Sequence, residues 1–312
     1  MDSLNAEAAM APEGDPPPEW DGRNIGDLLD LARVSDAHFR SQSVEENEHG
    51  RIFGGQILGQ ALYAASRTVP PDRSACSMQL LFAAGGLVTQ PIDFEIATIQ
   101  EGKRFSARHV RACQTSGRIV CDATATFARA IASPAHAAPA PADCGIDRDP
   151  EGCARLDDVG GPGAQEIERV LAYMFRAHKA IDMRAPFVED LAPGRSLREP
   201  RMRFWIRLRQ NLGDDSALHA AAFAYLSDYW INFAVCIAHV RAMSDKGASL
   251  YVASLNHAIW FHRPLRADEW LLFDCTSPSG AFGRGLAIAR VYSHAGSLVA
   301  SATQECLLAP GA

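Results

Sequence analysis

Apolar residues recur along the chain with two periods. Ile25, Leu28, Leu29 and Ala32 fall at i, i+3, i+4 and i+7, the spacing of one helix face. GGQILGQALYAASRTV (54–69) carries the same period through Ile57, Ala61, Leu62 and Ala65, with paired glycines before it and Pro70-Pro71 behind, which predicts a second helix. Four extended stretches follow at 75–83, 92–100, 104–114 and 118–131, separated by Gly85-Gly86, Glu101-Gly102 and Ser116-Gly117. A helix followed by an antiparallel meander is the pattern of this half.

The pattern then repeats. A helix is predicted near 164–178, strands at 181–187 and 202–210, a long helix over about 215–240, and strands near 250–263, 268–277, 283–293 and 297–308. GRIVCDATATFA (117–128) aligns without gaps with GSLVASATQECL (296–307), each closing its half. The organisation predicted is a disordered tail over 1–20, a first unit over 21–131, an Ala/Pro/Gly-rich linker over 132–163 and a second unit over 164–312. Each unit would wrap a curved antiparallel sheet around one long helix, an α+β architecture whose halves can share one sheet.

Composition narrows the function classes. The 312 residues are 47% hydrophobic and 21% charged, enough apolar material for a core. Thirty Lys+Arg against 37 Asp+Glu leave a net charge of -7, which speaks against a nucleic-acid partner. No apolar run approaches the roughly 20 residues of a membrane span, and Met1–Glu19 lacks the basic start and apolar middle of a signal peptide, so a cytoplasmic protein is expected. The eight cysteines form no CxxC pair and no His spacing that suggests zinc, which predicts reduced thiols.

The signatures GxSxG, GxxxxGK[ST], GxGxxG and HExxH are absent. Candidate chemistry is therefore sought in polar groups on faces that should be apolar. Asp228 is the only carboxylate of the segment 216–240, which is apolar nearly all round; it either braces the backbone at a helix break or serves a reaction. In the last strand Gln304 shares a face with Leu298, Ala300, Ala302, Cys306 and Leu308, and its counterpart in the first half is Ala125. Ser254 lies in YVASLNHAIWFHRP (251–264), where His257 alternates with Leu255 and Ile259 as a core or interface histidine would. If the helix crosses the sheet, Asp228, Ser254 and Gln304 can converge to hold and polarise a water, with the carboxylate as general base.

At these residues the sequence resembles the acyl-CoA thioesterase II family of the TesB type, whose fold is a double hotdog. RIFGGQILGQALYAASRTVP (51–70), EGKRFSARHV (101–110), IDMR (181–184), FWIR (204–207), YLSDYW (225–230), SLNHAIWFHRP (254–264), DEWLLF (268–273) and VASATQE (299–305) resemble its blocks in order. The resemblance implies hydrolysis of fatty or related acyl-CoA to free acid and CoA, a water positioned by Asp228, Ser254 and Gln304, and a homo-oligomer. Such hydrolysis would need no metal or other cofactor. Two stretches depart from the family. CSMQLLFAAGG (76–86) lacks its His, Arg and Pro, and Asn256-His257 stands for its Asp-His, which would remove a negative charge beside the site and shift its pH dependence. Two other functions share these residues: release of acyl chains from a carrier protein, which the acidic chain disfavours, and non-catalytic acyl-CoA binding, which the retained trio disfavours.

Overall fold

The computed structural model describes residues 16–47, 49–156, 179–187, 200–237, 239 and 250–310. The helix expected at 164–178 lies outside the described residues.

In the first half, strands β1 (Leu31–Ser35), β2 (His38–Ser41), β3 (Ser74–Phe82), β4 (Asp93–Glu101), β5 (Phe105–Gln114) and β6 (Arg118–Ala128) accompany helices α1 (Ile25–Leu29) and α2 (Gly54–Ser66). The second half has β7 (Ala154–Arg155), β8 (Ile181–Ala185), β9 (Arg201–Leu208), β10 (Leu250–Phe261), β11 (Leu271–Ala281), β12 (Arg284–Ser293) and β13 (Leu298–Pro310), with helices α3 (Ser216–Ser227) and α4 (Phe233–Cys236). Among the described residues, all thirteen strands join one antiparallel sheet in the order β1-β2-β4-β5-β6-β3-β10-β13-β12-β11-β9-β8-β7. The halves meet where β3 pairs with β10, from Asn256 opposite Leu81 to Trp260 opposite Ser77. On either side of that seam the order repeats, β6-β5-β4 answering β13-β12-β11, which is the double hotdog expected.

Three boundaries differ from expectation. Strands β1 and β2 went unforeseen: the first helix, expected to reach Ala32, ends at Leu29, most of β1 is exposed without alternation, and β2 is only four residues long. The tail boundary expected at residue 20 does not hold for Trp20, which is buried, its amide donating to Val44 O and its ring edge-on to Tyr225 at 6.2 Å. The helix expected over 215–240 stops at Ser227 and resumes at Phe233. Asp215 begins α3 by accepting from the amides of Ala217 and Leu218, and nine of its twelve residues are buried, in keeping with its apolar surface on every side.

The connection between the halves is not merely a linker. Cys144 is fully buried on the second half's sheet face away from the main core, among Trp205, Trp270, Leu272 and Tyr292. Asp143 pairs with Arg201 at 2.6 Å, and Glu151 accepts from Trp270 Nε1 at 3.1 Å and from Arg207 at 2.8 Å. This strap covers an apolar patch that would otherwise face water. Leu298 packs here too, not beside Ala300 as strict alternation predicts, because the β12–β13 register shifts between Val291 and Tyr292.

Candidate active site

The two central helices run antiparallel in close contact, and glycines in the sequence allow it. A Cβ at Gly55 would lie 2.6 Å from Tyr225 O, and one at Gly59 would lie 2.9 Å from Ala221 O. The GGxxxG spacing thus clears a strip along α2 where the backbone of α3 lies. Buried Gln56 and Gln60 pin the surrounding chain to α2: Gln56 accepts from the amide of Glu45 and donates to Ser43 O, and Gln60 donates to Leu28 O. The start of α2 is thereby held against the end of α3.

Asp228 is the residue at that end. It is the C-cap of α3, its amide donating to Leu226 O and Tyr225 O, and it is 6% exposed. A carboxylate at a helix C-terminus meets the negative end of the dipole, an unfavourable position. Here the first residue of α2 compensates: a Cβ at Gly54 would lie 2.5 Å from Asp228 Oδ2. The positive end of α2, which has no side-chain cap and no acidic residue in its first turn, faces this oxygen.

Gln304 and Ser254 hold the other oxygen. Gln304 Nε2 donates to Asp228 Oδ1 and to Ser254 Oγ, both at 2.5 Å, and Ser254 Oγ lies 3.4 Å from Asp228 Oδ1. Gln304 is fully buried with Ala300, Ala302 and Cys306, as its position in β13 predicts. Ser254 gets there by a bulge. It pairs with Cys306 and Asn256 with Glu305, leaving Leu255 as an extra residue in β10, so Ser254 and His257 both face the helices although they are an odd three positions apart. The structure therefore brings all three sequence candidates together.

Other groups around them were not foreseen. Asn232, in the break between α3 and α4, donates to Ser254 Oγ at 3.3 Å. Glu45 is buried in the segment tied to Gln56; burial pushes its carboxyl up to about 8, a hydrogen bond with Tyr225 opposes the rise and the Asp228 charge adds to it. Phe82, from the stretch that departs from the family, is 3.3 Å from a Cβ placed at Gly54. His257 is 1% exposed, its Nε2 lies 2.9 Å from Ser227 Oγ, and burial pulls its imidazole down to about 4 against a hydrogen bond with Gln304. Asn256 points the other way and donates to Glu305 Oε2 at 2.9 Å. The expectation that it changes the charge beside the site is thus corrected, since residue 256 is on the opposite face.

Acceptors and donors, but no cluster of three or more His, Cys, Asp or Glu side chains placed to hold a metal, occur here among the described residues. None of the described helices is long and apolar enough to cross a membrane. The arrangement can bind a water between a carboxylate and a helix N-terminus, which is what attack on a carbonyl requires.

Comparison with known proteins gives the family. Residues 44–128 match the model of the acyl-CoA thioesterase N-terminal domain, and residues 150–308 that of the C-terminal domain. Acyl-CoA thioesterase 2 of Haemophilus influenzae is 31% identical over 287 residues, 91% of this chain and 96% of that protein. Acyl-coenzyme A thioesterase 8 of Mus musculus is 30% identical over 290 residues, 90% of this chain and 87% of its own. The crystal structure of acyl-CoA thioesterase II TesB2 from Mycobacterium marinum has a TM-score of 0.73 at 30% identity, covering 93% of this chain and 99% of that one. The chain belongs to the acyl-CoA thioesterase II family of the TesB type and is a thioester hydrolase with the double hotdog fold.

Proposed function

We propose that the chain hydrolyses fatty or related acyl-CoA to free acid and CoA by direct attack of a water that Asp228 activates. The observation that carries this reading is the double donation of Gln304 Nε2 to Asp228 Oδ1 and Ser254 Oγ. It fixes one carboxylate oxygen and leaves Oδ2 directed at the start of α2. A water beside Oδ2 gives its proton to the carboxylate as its oxygen bonds to the thioester carbon. The carbonyl oxygen takes up the negative charge, and the free N–H groups of the first turn of α2 are the donors that stabilise it. Collapse breaks the C–S bond, and the thiolate of CoA receives the proton held by Asp228. No covalent enzyme intermediate is needed.

The test is thiol release from short, long and branched acyl-CoAs by the wild type, Asp228→Asn and Gln304→Ala. Loss of about 100-fold or more in kcat in both variants, with unchanged melting, is expected, the size seen when a single electrostatic contact of an active site is removed. Wild-type turnover in both variants would overturn the assignment of the water site, and absence of thiol release by the wild type would overturn the substrate class.

A further inference from the structure

An amide side chain presents an oxygen and a nitrogen of nearly equal size, and only one of its two orientations serves the site. With Gln304 turned by 180°, its Oε1 would face the Asp228 carboxylate, two acceptors in contact, and the water site would lose its tether. Asp228 accepts only, and the Ser254 hydroxyl can adapt to either orientation. What meets the far side of the amide therefore matters.

His257 meets it. It is the direct cross-strand partner of Gln304 between β10 and β13 and is almost wholly buried. Its Nδ1 and the Oε1 of Gln304 are both buried and neither has a partner at ordinary hydrogen-bond geometry, each other included, while Gln304 lies close enough to favour the protonated ring. On the other side of the ring Nε2 lies 2.9 Å from Ser227 Oγ. The Ser227 hydroxyl has one hydrogen, for which Ala224 O at 2.8 Å also competes. A neutral ring carries its proton on one nitrogen only. Were it on Nε2, Nδ1 would face Oε1 as acceptor against acceptor; with the proton on Nδ1, Ser227 donates to Nε2 and Nδ1–H donates to Oε1.

We propose that His257 is a positioning residue that sets the orientation of the Gln304 amide through its Nδ1–H, within a closed circuit running Ser227, His257, Gln304, Asp228. The circuit begins and ends on adjacent residues at the end of α3, so the same backbone that places the carboxylate also anchors the group orienting its tether. The inference rests on the role proposed above for Asp228, Ser254 and Gln304. Burial in this apolar setting keeps the ring neutral near pH 7, as the assigned tautomer requires.

Asparagine and glutamine separate the two nitrogens of the ring, since the amide nitrogen of Asn stands near Nδ1 and that of Gln near Nε2. Thiol release from an acyl-CoA that the wild type turns over is measured for His257→Asn, His257→Gln and His257→Leu, together with melting curves. His257→Asn is expected to keep kcat within about threefold, while His257→Gln and His257→Leu lose about 10- to 100-fold in kcat with KM unchanged, the cost of a small misplacement. His257→Leu added to Gln304→Ala is expected to cost nothing further, because the two act as one unit. Equal losses in the Asn and Gln variants, or losses that multiply in the double variant, would overturn the proposal. Should the Leu variant fail to fold, Ser227→Ala is expected to lower kcat in the wild type and to have no effect in His257→Asn; unchanged turnover in the wild-type background would equally overturn it. An active wild type with inactive Asp228→Asn and fully active His257→Leu would sink this inference alone, whereas a wild type that releases no thiol would sink the reaction on which it rests.

Discussion

Gly54 and Asp228 face each other across the junction of the two halves so closely that one added carbon on Gly54 would lie 2.5 Å from the carboxylate. The carboxylate belongs to the second half and the helix start it faces to the first. Gln304 and Ser254 hold the opposite oxygen, so Asp228 has little freedom to retreat. Gly54→Ala is expected to lower kcat by at least about tenfold, in line with the sensitivity of reactions to small misplacements. Melting would change less than activity, because the better helix propensity of alanine offsets part of the crowding. Thiol release and a thermal melt on the same sample check both parts.

Gly59 gives the opposite outcome. A Cβ there would lie 2.9 Å from Ala221 O and 2.6 Å from a Leu29 methyl, and the backbone carbonyl cannot swing aside. Gly59→Ala is expected to destabilise the fold by about 1–3 kcal/mol despite the gain in helix propensity, as overpacking does. Denaturant unfolding measures it, and a variant as stable as the wild type would refute the tight helix contact.

Glu45 and His257 set opposing dependences of stability on pH. The folded-state value of Glu45, about 8, exceeds the ordinary 4.5, so the folded chain binds more protons and loses stability as pH rises through that window. The folded-state value of His257, about 4, lies below 6.5, so stability is lost as pH falls through the interval between them. The two slopes offset each other between 4.5 and 6.5, and Glu45 acts alone from 6.5 to 8. Stability should decline there with a slope of up to about 1.4 kcal/mol per pH unit, and Glu45→Gln should remove the decline. Urea unfolding at stepwise pH values decides it.

Arg201 separates a buried from an exposed partner. It donates to Asp274 at 2.6 and 2.9 Å and to Asp143 at 2.6 and 3.3 Å; Asp274 is 6% exposed and Asp143 69%. Arg201→Ala leaves a buried carboxylate without its cation and should cost about 3–5 kcal/mol. Asp143→Ala removes a pair in water and should cost under about 1 kcal/mol. Equal losses in the two variants would contradict this division.

The sequence made the site legible where a polar residue broke a regular apolar pattern. Asp228 stands out on a helix without another carboxylate, and Gln304 on a strand face otherwise made of Ala, Cys and Leu. Ser254 was a weaker candidate, named for its place beside Asn256 and His257, because the bulge at Leu255 changes which residues share a face and has no side-chain signature. Glu45 was invisible for the opposite reason: in SVEEN two neighbouring acids resemble a solvated loop, and only the grip of Gln56 on that segment carries one of them inside. The stop of α3 at Ser227 likewise lacks a Gly or Pro to announce it. Strand β1 was missed because exposure erases the alternation by which a strand is recognised, and β2 because four residues are too few to show it.

The seam between β3 and β10 also bears on how the protein behaves when scarce. Two hotdog units made as separate chains would find each other by collision, and the contact between the first residue of α2 and Asp228 would vanish as their concentration fell. Here both units are one molecule, held at the effective concentration of a covalent tether that dilution cannot lower. Turnover per chain should therefore stay constant down to the most dilute assay, whatever larger assembly the chains build.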